Sequence, residues 1–151
     1  MKVNIITQDS KLYPIKSTKY SSGYDLYSSI DLVIKKNEIQ KVPTGISLDI
    51  DLLNKNTDIL DIQIRPRSSL SLKNINVAIG TIDIDYKGEL QIIINNNSNQ
   101  DFVIKKYDCI AQLVFGIRGN NINFYFNDQE LDLVKNVERV GGFGSTNKNK
   151  N

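Results

Sequence analysis

Apolar residues in this chain recur in short runs of period two. Ile46-Ser47-Leu48-Asp49-Ile50 alternates apolar and polar positions, and Ile59 to Ile64 does the same. Such alternation places one set of side chains on one face of an extended strand. Asp31-Leu32-Val33-Ile34 is a shorter run closed by the turn Lys35-Lys36-Asn37-Glu38. Leu90 to Ile94 reads as a buried apolar strand ended by the polar turn Asn95 to Gln100. Ile110 to Ile117 is another strand, and Arg118-Gly119-Asn120-Asn121 turns the chain before a further strand at Ile122 to Phe126. Many short strands at this spacing predict an all-β jelly-roll-like barrel or sandwich. One short helix is predicted from Ser68 to Lys73, with Ser68 or Ser69 as its N-cap after Pro66-Arg67. The periodicity stops near Glu138, so the expected organisation is a β domain over 1–137 followed by an arm over 138–151.

Composition narrows the chemistry. A chain of 151 residues fits one domain, and 40% hydrophobic residues suffice for a sizeable core. A net charge of +2 gives no electrostatic case for nucleic acid or membrane partners. There is no histidine, which removes Ser-His-Asp triads, histidine bases and histidine-ligated zinc together. Cys109 is the only cysteine, so neither an intrachain disulfide nor a cysteine metal cluster can form. Catalysis must therefore rest on carboxylates, Arg, Lys, Tyr, Ser or Thr. Any metal must be a hard, oxygen-held ion such as Mg²⁺. No apolar run approaches the roughly 18 residues of a membrane span, and Met1-Lys2-Val3-Asn4 does not open a signal peptide. The expectation is an intracellular protein, cytoplasmic or nuclear, within the host cell if the source is viral.

Four segments carry candidate chemistry. Gly80-Thr81-Ile82-Asp83-Ile84-Asp85-Tyr86-Lys87-Gly88-Glu89 joins two strands through a hairpin. Its acids are either catalytic or simple turn residues. Arg65-Pro66-Arg67-Ser68-Ser69-Leu70 puts arginine and two hydroxyls at a helix start, which is either an anion site or a capped helix. Ser21-Ser22-Gly23-Tyr24-Asp25-Leu26-Tyr27-Ser28 sets one acid in a strand beside a glycine, an edge-strand residue or a metal-linked one. Near the end, Arg139-Val140-Gly141-Gly142-Phe143-Gly144-Ser145-Thr146-Asn147 has the composition of a flexible arm that closes over a phosphorylated ring. Amides of Gly144 to Thr146 could form an anion nest, Phe143 could stack on a base, and Arg139 could neutralise phosphate. A glycine-rich tail alone accounts for the same residues.

Taken in order, and joined by Asp108-Cys109-Ile110-Ala111-Gln112-Leu113-Val114, these segments resemble the motif set of the trimeric dUTPase family, the dUTP pyrophosphatases. The resemblance runs from Ser21 to Asn147 and includes Val42-Pro43-Thr44-Gly45-Ile46. It implies a dUTPase-like jelly roll, a homotrimer with shared active sites, and hydrolysis of dUTP to dUMP and pyrophosphate. That reaction keeps uracil out of DNA and supplies dUMP for thymidylate synthesis. Asp83 resembles the general base. Tyr86 resembles the residue that packs on deoxyribose and leaves no room for a 2′-OH. The main chain from Val77 through Gly80 to Gly88 resembles the uracil slot, too narrow for the methyl of thymine. Asp25 resembles the acid that holds Mg²⁺ through water. Arg67, Ser68, Ser69 and Gln112 resemble phosphate ligands. Phe143 resembles the lid over uracil, Arg139, Ser145 and Thr146 resemble the γ-phosphate clamp, and Gly144 joins the substrate-binding set.

Departures from the pattern are local. Tyr107-Asp108-Cys109 stands where the family usually has Gly-Asp-Arg, and only Val140 separates Arg139 from the Gly-Gly pair. Asn147 stands in place of a common glycine, and Asn76 lies where some relatives use an asparagine on uracil. Two alternatives share the fold. A dCTP deaminase needs a catalytic glutamate further along the strand after the hairpin, and Leu90-Gln91-Ile92-Ile93-Ile94 has no acid. A non-catalytic nucleotide-sensing or regulatory relative would be marked by loss of Asp83, Asp25 or the arm, and all are present.

Overall fold

The alternating runs fold into antiparallel strands that cover one core. The computed structural model describes residues 3–50, 59–117, 124–126 and 129–131. In the unit Met1–Arg118, β1 (Val3–Ile6) is followed by a 3-10 turn at Ser10–Leu12, then β2 (Tyr24–Tyr27), β3 (Leu32–Ile34) and β4 (Ile39–Ile50). Next come β5 (Ile59–Arg65), α1 (Ser68–Ser71), β6 (Ile75–Val77), β7 (Gly80–Ile82), β8 (Glu89–Asn96), β9 (Phe102–Ile104) and β10 (Cys109–Ile117). Two four-stranded sheets result, ordered β1-β4-β8-β6 and β2-β10-β5-β7, with β3 and β9 paired separately. The unit Gly119–Asn151 contains β11 (Phe124–Phe126) antiparallel to β12 (Gln129–Leu131).

One buried cluster takes residues from all three sheets of the larger unit. Leu26, Ile62, Ile64 and Leu113 come from one, Val42, Ile46, Leu48, Leu90, Ile92 and Ile94 from the next, and Ile34 with Ile104 from the small pair. Each such side chain contributes about 1.5–3 kcal/mol on burial. The alternation in β4 holds from Val42 to Ile50, every second residue being buried. The all-β expectation is met.

Several local expectations need correction. Leu90 to Ile94 is not buried throughout: Gln91 and Ile93 are exposed, because an antiparallel sheet here covers the core with one face only. The strand also runs past the expected turn to Asn96, which is fully buried and donates to the carbonyls of Ile34 and Gln100 at 2.9 and 2.8 Å. The helix is a single turn whose N-cap is Arg67, in extended conformation and without a side-chain capping bond, rather than Ser68 or Ser69. The segment 80–89 does not pair its flanking strands with each other. β7 pairs with β5 in one sheet, and β8 pairs with β4 and β6 in the other. β6 pairs antiparallel with β8 instead, extended by the Ala78 amide donating to the Ile93 carbonyl at 2.9 Å, and between them the chain crosses to the opposite sheet through β7 and returns.

Candidate functional site

Three of the expected ligands meet at one end of the sheet β2-β10-β5-β7. Gln112 on β10 is level with Asp25 on β2 and with Arg65 on β5. Leu26, Leu113 and Ile64 point into the core, so period two turns Asp25, Gln112 and Arg65 to the other face. Gly23 makes room for this row, since a Cβ there would lie 3.0 Å from Gln112 Cβ and 3.2 Å from its Oε1. Pro66 carries the chain beyond β5 to Arg67, whose Nη1 donates to the Cys109 carbonyl at 2.8 Å and whose Nε lies 3.9 Å from Asp25 Oδ1.

Asp25 is 8% exposed, and its Oδ2 accepts from Ser17 Oγ at 2.7 Å. Its amide donates to the Ile15 carbonyl at 2.8 Å, which secures the edge of β2. Asp25 is thus an edge-strand residue that is also buried against an arginine. The Cys109 thiol sits beside this pair. Burial pushes it up to about 12, with Arg67 opposing and Asp25 adding to the shift. The register slip between Cys109 and Ala111 opposite β2 is a β-bulge, the local kink that re-aims groups beside a site. Ser68 and Ser69 are exposed on the single helical turn next to Arg67. One turn offers little macrodipole, so anion attraction here rests on the guanidinium.

The turn leading into β10 carries the departure at Tyr107. Its φ is 74°, in the left-handed region where a bulky residue is strained. Compensating contacts hold it. The Tyr107 hydroxyl donates to Asp9 Oδ2 at 2.7 Å, and Lys106 Nζ lies 4.8 Å from the ring centre. That hydroxyl is the largest influence holding the Asp9 carboxyl below its ordinary range.

Asp83 and Tyr86 lie elsewhere on the chain. Ile82 and Ile84 pack against the core, so the intervening Asp83 and the following Asp85 are exposed. The Tyr86 amide donates to the Asp83 carbonyl at 3.0 Å and closes a turn. The Tyr86 hydroxyl donates to the Glu89 carbonyl at 3.1 Å, and the ring lies against Gly88. Val77 is buried in β6, Asn76 beside it is exposed, and Gly80 opens β7. β7 is at the opposite edge of its sheet from β2, three strand spacings or about 14 Å away. Along the strands, Asp83 is displaced from the level of Arg65 by about 13 Å, since Ile82 pairs with Ile62. By this spacing Asp83 lies about 19 Å from Asp25 and about 16 Å from Gln112 of the same chain. Arg139, Phe143, Gly144, Ser145 and Thr146 lie outside the described residues.

Sequence reasoning missed Ser17, the Cys109 carbonyl and Glu89. Cys109 left a signal as a departure from the motif; Ser17 and Glu89 left none. Among the described residues no group of three or more Asp, Glu, Cys or His side chains could enclose a metal.

The fold is all-β and jelly-roll-like, and it gathers a carboxylate, an arginine and a glutamine at one sheet end. The dUTPase family model matches residues 9–147, and the chain belongs to the dUTPase family. It is 36% identical over 154 residues to the deoxyuridine 5'-triphosphate nucleotidohydrolase of Nautilia profundicola, covering 98% of this chain and 99% of the relative. It is 39% identical over 153 residues to that of Finegoldia magna, with 97% and 99% covered. Among solved structures, a mutant dUTPase from phage phi11 of S. aureus, which coordinates a structural Mg(II) ion, superposes with a TM-score of 0.69 at 20% identity, covering 84% of this chain and 97% of that one.

Proposed function

We propose that this chain hydrolyses dUTP to dUMP and pyrophosphate by attack of water on the α-phosphorus. The observation that carries the reading is the row Asp25–Gln112 with Arg67 drawn beside it, which brings together the residues that resemble the family's Mg²⁺ acid and two of its phosphate ligands. Arg67 supplies charge and a planar donor set, Gln112 a neutral donor, and Ser68 and Ser69 hydroxyls. Asp83 accepts the proton of the attacking water, a role open to an exposed carboxylate in a fixed turn. Catalysis is then positioning plus charge neutralisation. Tyr86 packs on the deoxyribose, and the main chain from Val77 through Gly80 receives uracil. Phe143 covers the base, while Arg139, Gly144, Ser145 and Thr146 clamp the γ-phosphate.

A single buried carboxylate already bonded to Ser17 is too little for a directly ligated cage. It fits Mg²⁺ held through water, because this ion keeps several waters and takes the rest of its ligands from phosphates. When bound, the ion would order the triphosphate and offset its charge. Asp25 would orient a water of its shell, and Arg67 would hold Asp25 in place.

A general base must reach the attacking water within hydrogen-bond distance. A separation of about 19 Å from Asp25 within one chain speaks against Asp83 serving its own chain's phosphate row. This supports a homotrimer in which the base and sugar-binding residues of one chain complete the phosphate site of another; the number three rests on family likeness. The arm over 138–151 completes the site, and the setting is intracellular. Deamination of dCTP is disfavoured, because the acid of β8, Glu89, is bonded to the Gly45 amide at 2.7 Å. Pyrophosphate release with Mg²⁺ across dUTP, UTP, dTTP and dCTP, with ammonia release from dCTP in parallel, tests the reading. Turnover of dUTP alone is expected; ammonia from dCTP or silence with dUTP would overturn it.

A further inference from the structure

We propose that Glu89 is a positioning residue for Tyr86, and through it a determinant of selection for the deoxy sugar. The inference rests on the reading of Tyr86 as the sugar-packing residue. Glu89 acts at both ends. Its carbonyl accepts the Tyr86 hydroxyl at 3.1 Å, and its carboxylate Oε1 accepts the Gly45 amide of β4 at 2.7 Å. The bond to the carboxylate is charge-assisted and shielded, the stronger kind. It spans the irregular stretch between Pro43 and Ser47, where the β4–β8 ladder is interrupted. Without the Glu89 side chain, this root of the loop would lose a bond that the ladder does not replace.

Neighbouring contacts point to the same function. Thr44 Oγ1 donates to the Leu90 carbonyl at 2.6 Å, fixing the residue after Glu89. Lys87 Nζ donates to Asp49 Oδ1 at 2.6 Å, tying the residue after Tyr86 to the same strand. Gly88 leaves space for the ring, since a Cβ there would run into the Tyr86 hydroxyl and its ring carbon. The ring is thus held by the Glu89 carbonyl and by close approach to Gly88, and the chain that follows it is tied to β4 through Lys87, Glu89 and Leu90. Tyr86 itself is 45% exposed, so the core does not fix it. A sugar-facing ring that must exclude one hydroxyl needs sub-ångström placement, and Glu89 supplies the anchor.

The test is kcat/KM for dUTP and for UTP in full-length Glu89→Ala, Glu89→Gln, Gly88→Ala and Tyr86→Ala, alongside Tm. Glu89→Ala should lower the dUTP:UTP selectivity by about tenfold or more, mainly through improved use of UTP. Glu89→Gln keeps an acceptor for the Gly45 amide and should retain selectivity near that of the parent. Gly88→Ala displaces the ring without touching Glu89 or the core, and should lower selectivity even if Glu89→Ala fails to fold. Unchanged selectivity in folded Glu89→Ala or in Gly88→Ala, with selectivity collapsed in Tyr86→Ala, would overturn the positioning role alone. Unchanged selectivity in Tyr86→Ala would overturn the sugar-packing reading beneath it.

Discussion

Asp83 and Asp85 are both exposed acids in one turn, and only their place relative to substrate separates them. Asp83→Asn removes the proton acceptor at constant size. Its kcat should fall by about 10²–10⁴, with nucleotide affinity little changed. Asp85→Asn should keep most activity, and the reverse outcome in steady-state kinetics would reassign the base. Cys109 gives a second prediction. With its thiol raised from 9.0 to about 12 by burial, the thiolate is scarce at neutral pH. At pH 8 alkylation by iodoacetamide should run at least about tenfold slower in the native protein than in the unfolded chain, because the scarcity of thiolate outweighs its higher nucleophilicity. Comparable rates in the two states would place Cys109 at the surface. These details were partly legible beforehand. Asp83 and Asp25 stood out because motif and chemistry coincided. Glu89 did not, because a strand-opening glutamate is indistinguishable from any solvated acid until Gly45 is seen opposite it.

Among the elements, the connection from β8 to β9 shows how a turn can depend on one buried polar side chain. Asn96 is fully buried; its Nδ2 donates to the Ile34 and Gln100 carbonyls, and its Oδ1 accepts from the Ser98 amide at 3.1 Å and hydroxyl at 2.6 Å. Asn96→Leu would leave the buried Ile34 carbonyl unpaired and remove the bonds that tie Ser98 and Gln100 to the turn. A loss of about 2–3 kcal/mol is expected in urea unfolding, with the m-value unchanged. An effect below about 0.5 kcal/mol would mean that water reaches these groups. Period-two alternation had marked β4 and β5, and continuous apolar runs had marked β8 and β10, the alternation of β8 being hidden because its outward residue Ile93 is also apolar. Neither signal marked the short strands β6, β7 and β9, which carry too few residues for a pattern. Nor did either reveal that 79–88 crosses between sheets: turn chemistry reads the same whether the flanking strands pair with each other or with different partners.

At the scale of the whole molecule, two four-stranded sheets and the small β3–β9 pair share one core among the described residues. The molecule's charges set the pH range of stability. Asp9, Asp49 and Asp101 are held below their ordinary value of 3.8, chiefly by hydrogen bonds from Tyr107, Lys87 and Lys35. The folded state therefore binds these protons less tightly than the unfolded chain. The stability they contribute is present above that value and is lost as pH falls through the folded one. Lys35 and Lys106 are raised above 10.5, so their contribution holds below that value and fades as pH rises past it. Cys109, raised from 9.0, costs stability from there upward as the unfolded thiol ionises. Tm should be flat between about pH 5 and pH 9 and fall on both sides, the acid limb weakening in high salt because the pairs are exposed. A maximum below pH 4 would contradict these assignments.

The distance between Asp83 and the phosphate row is tested most directly by one mixing experiment. Asp83→Asn chains keep Arg67 and Gln112; Arg67→Ala chains keep Asp83. Each variant alone should be silent toward dUTP. Refolded together into oligomers whose mixed composition is verified by native mass spectrometry, they should regain pyrophosphate release, because a site taking Asp83 from one chain and Arg67 from another is intact. Silence in verified mixed oligomers would contradict the account and require Asp83 to serve the phosphate row of its own chain.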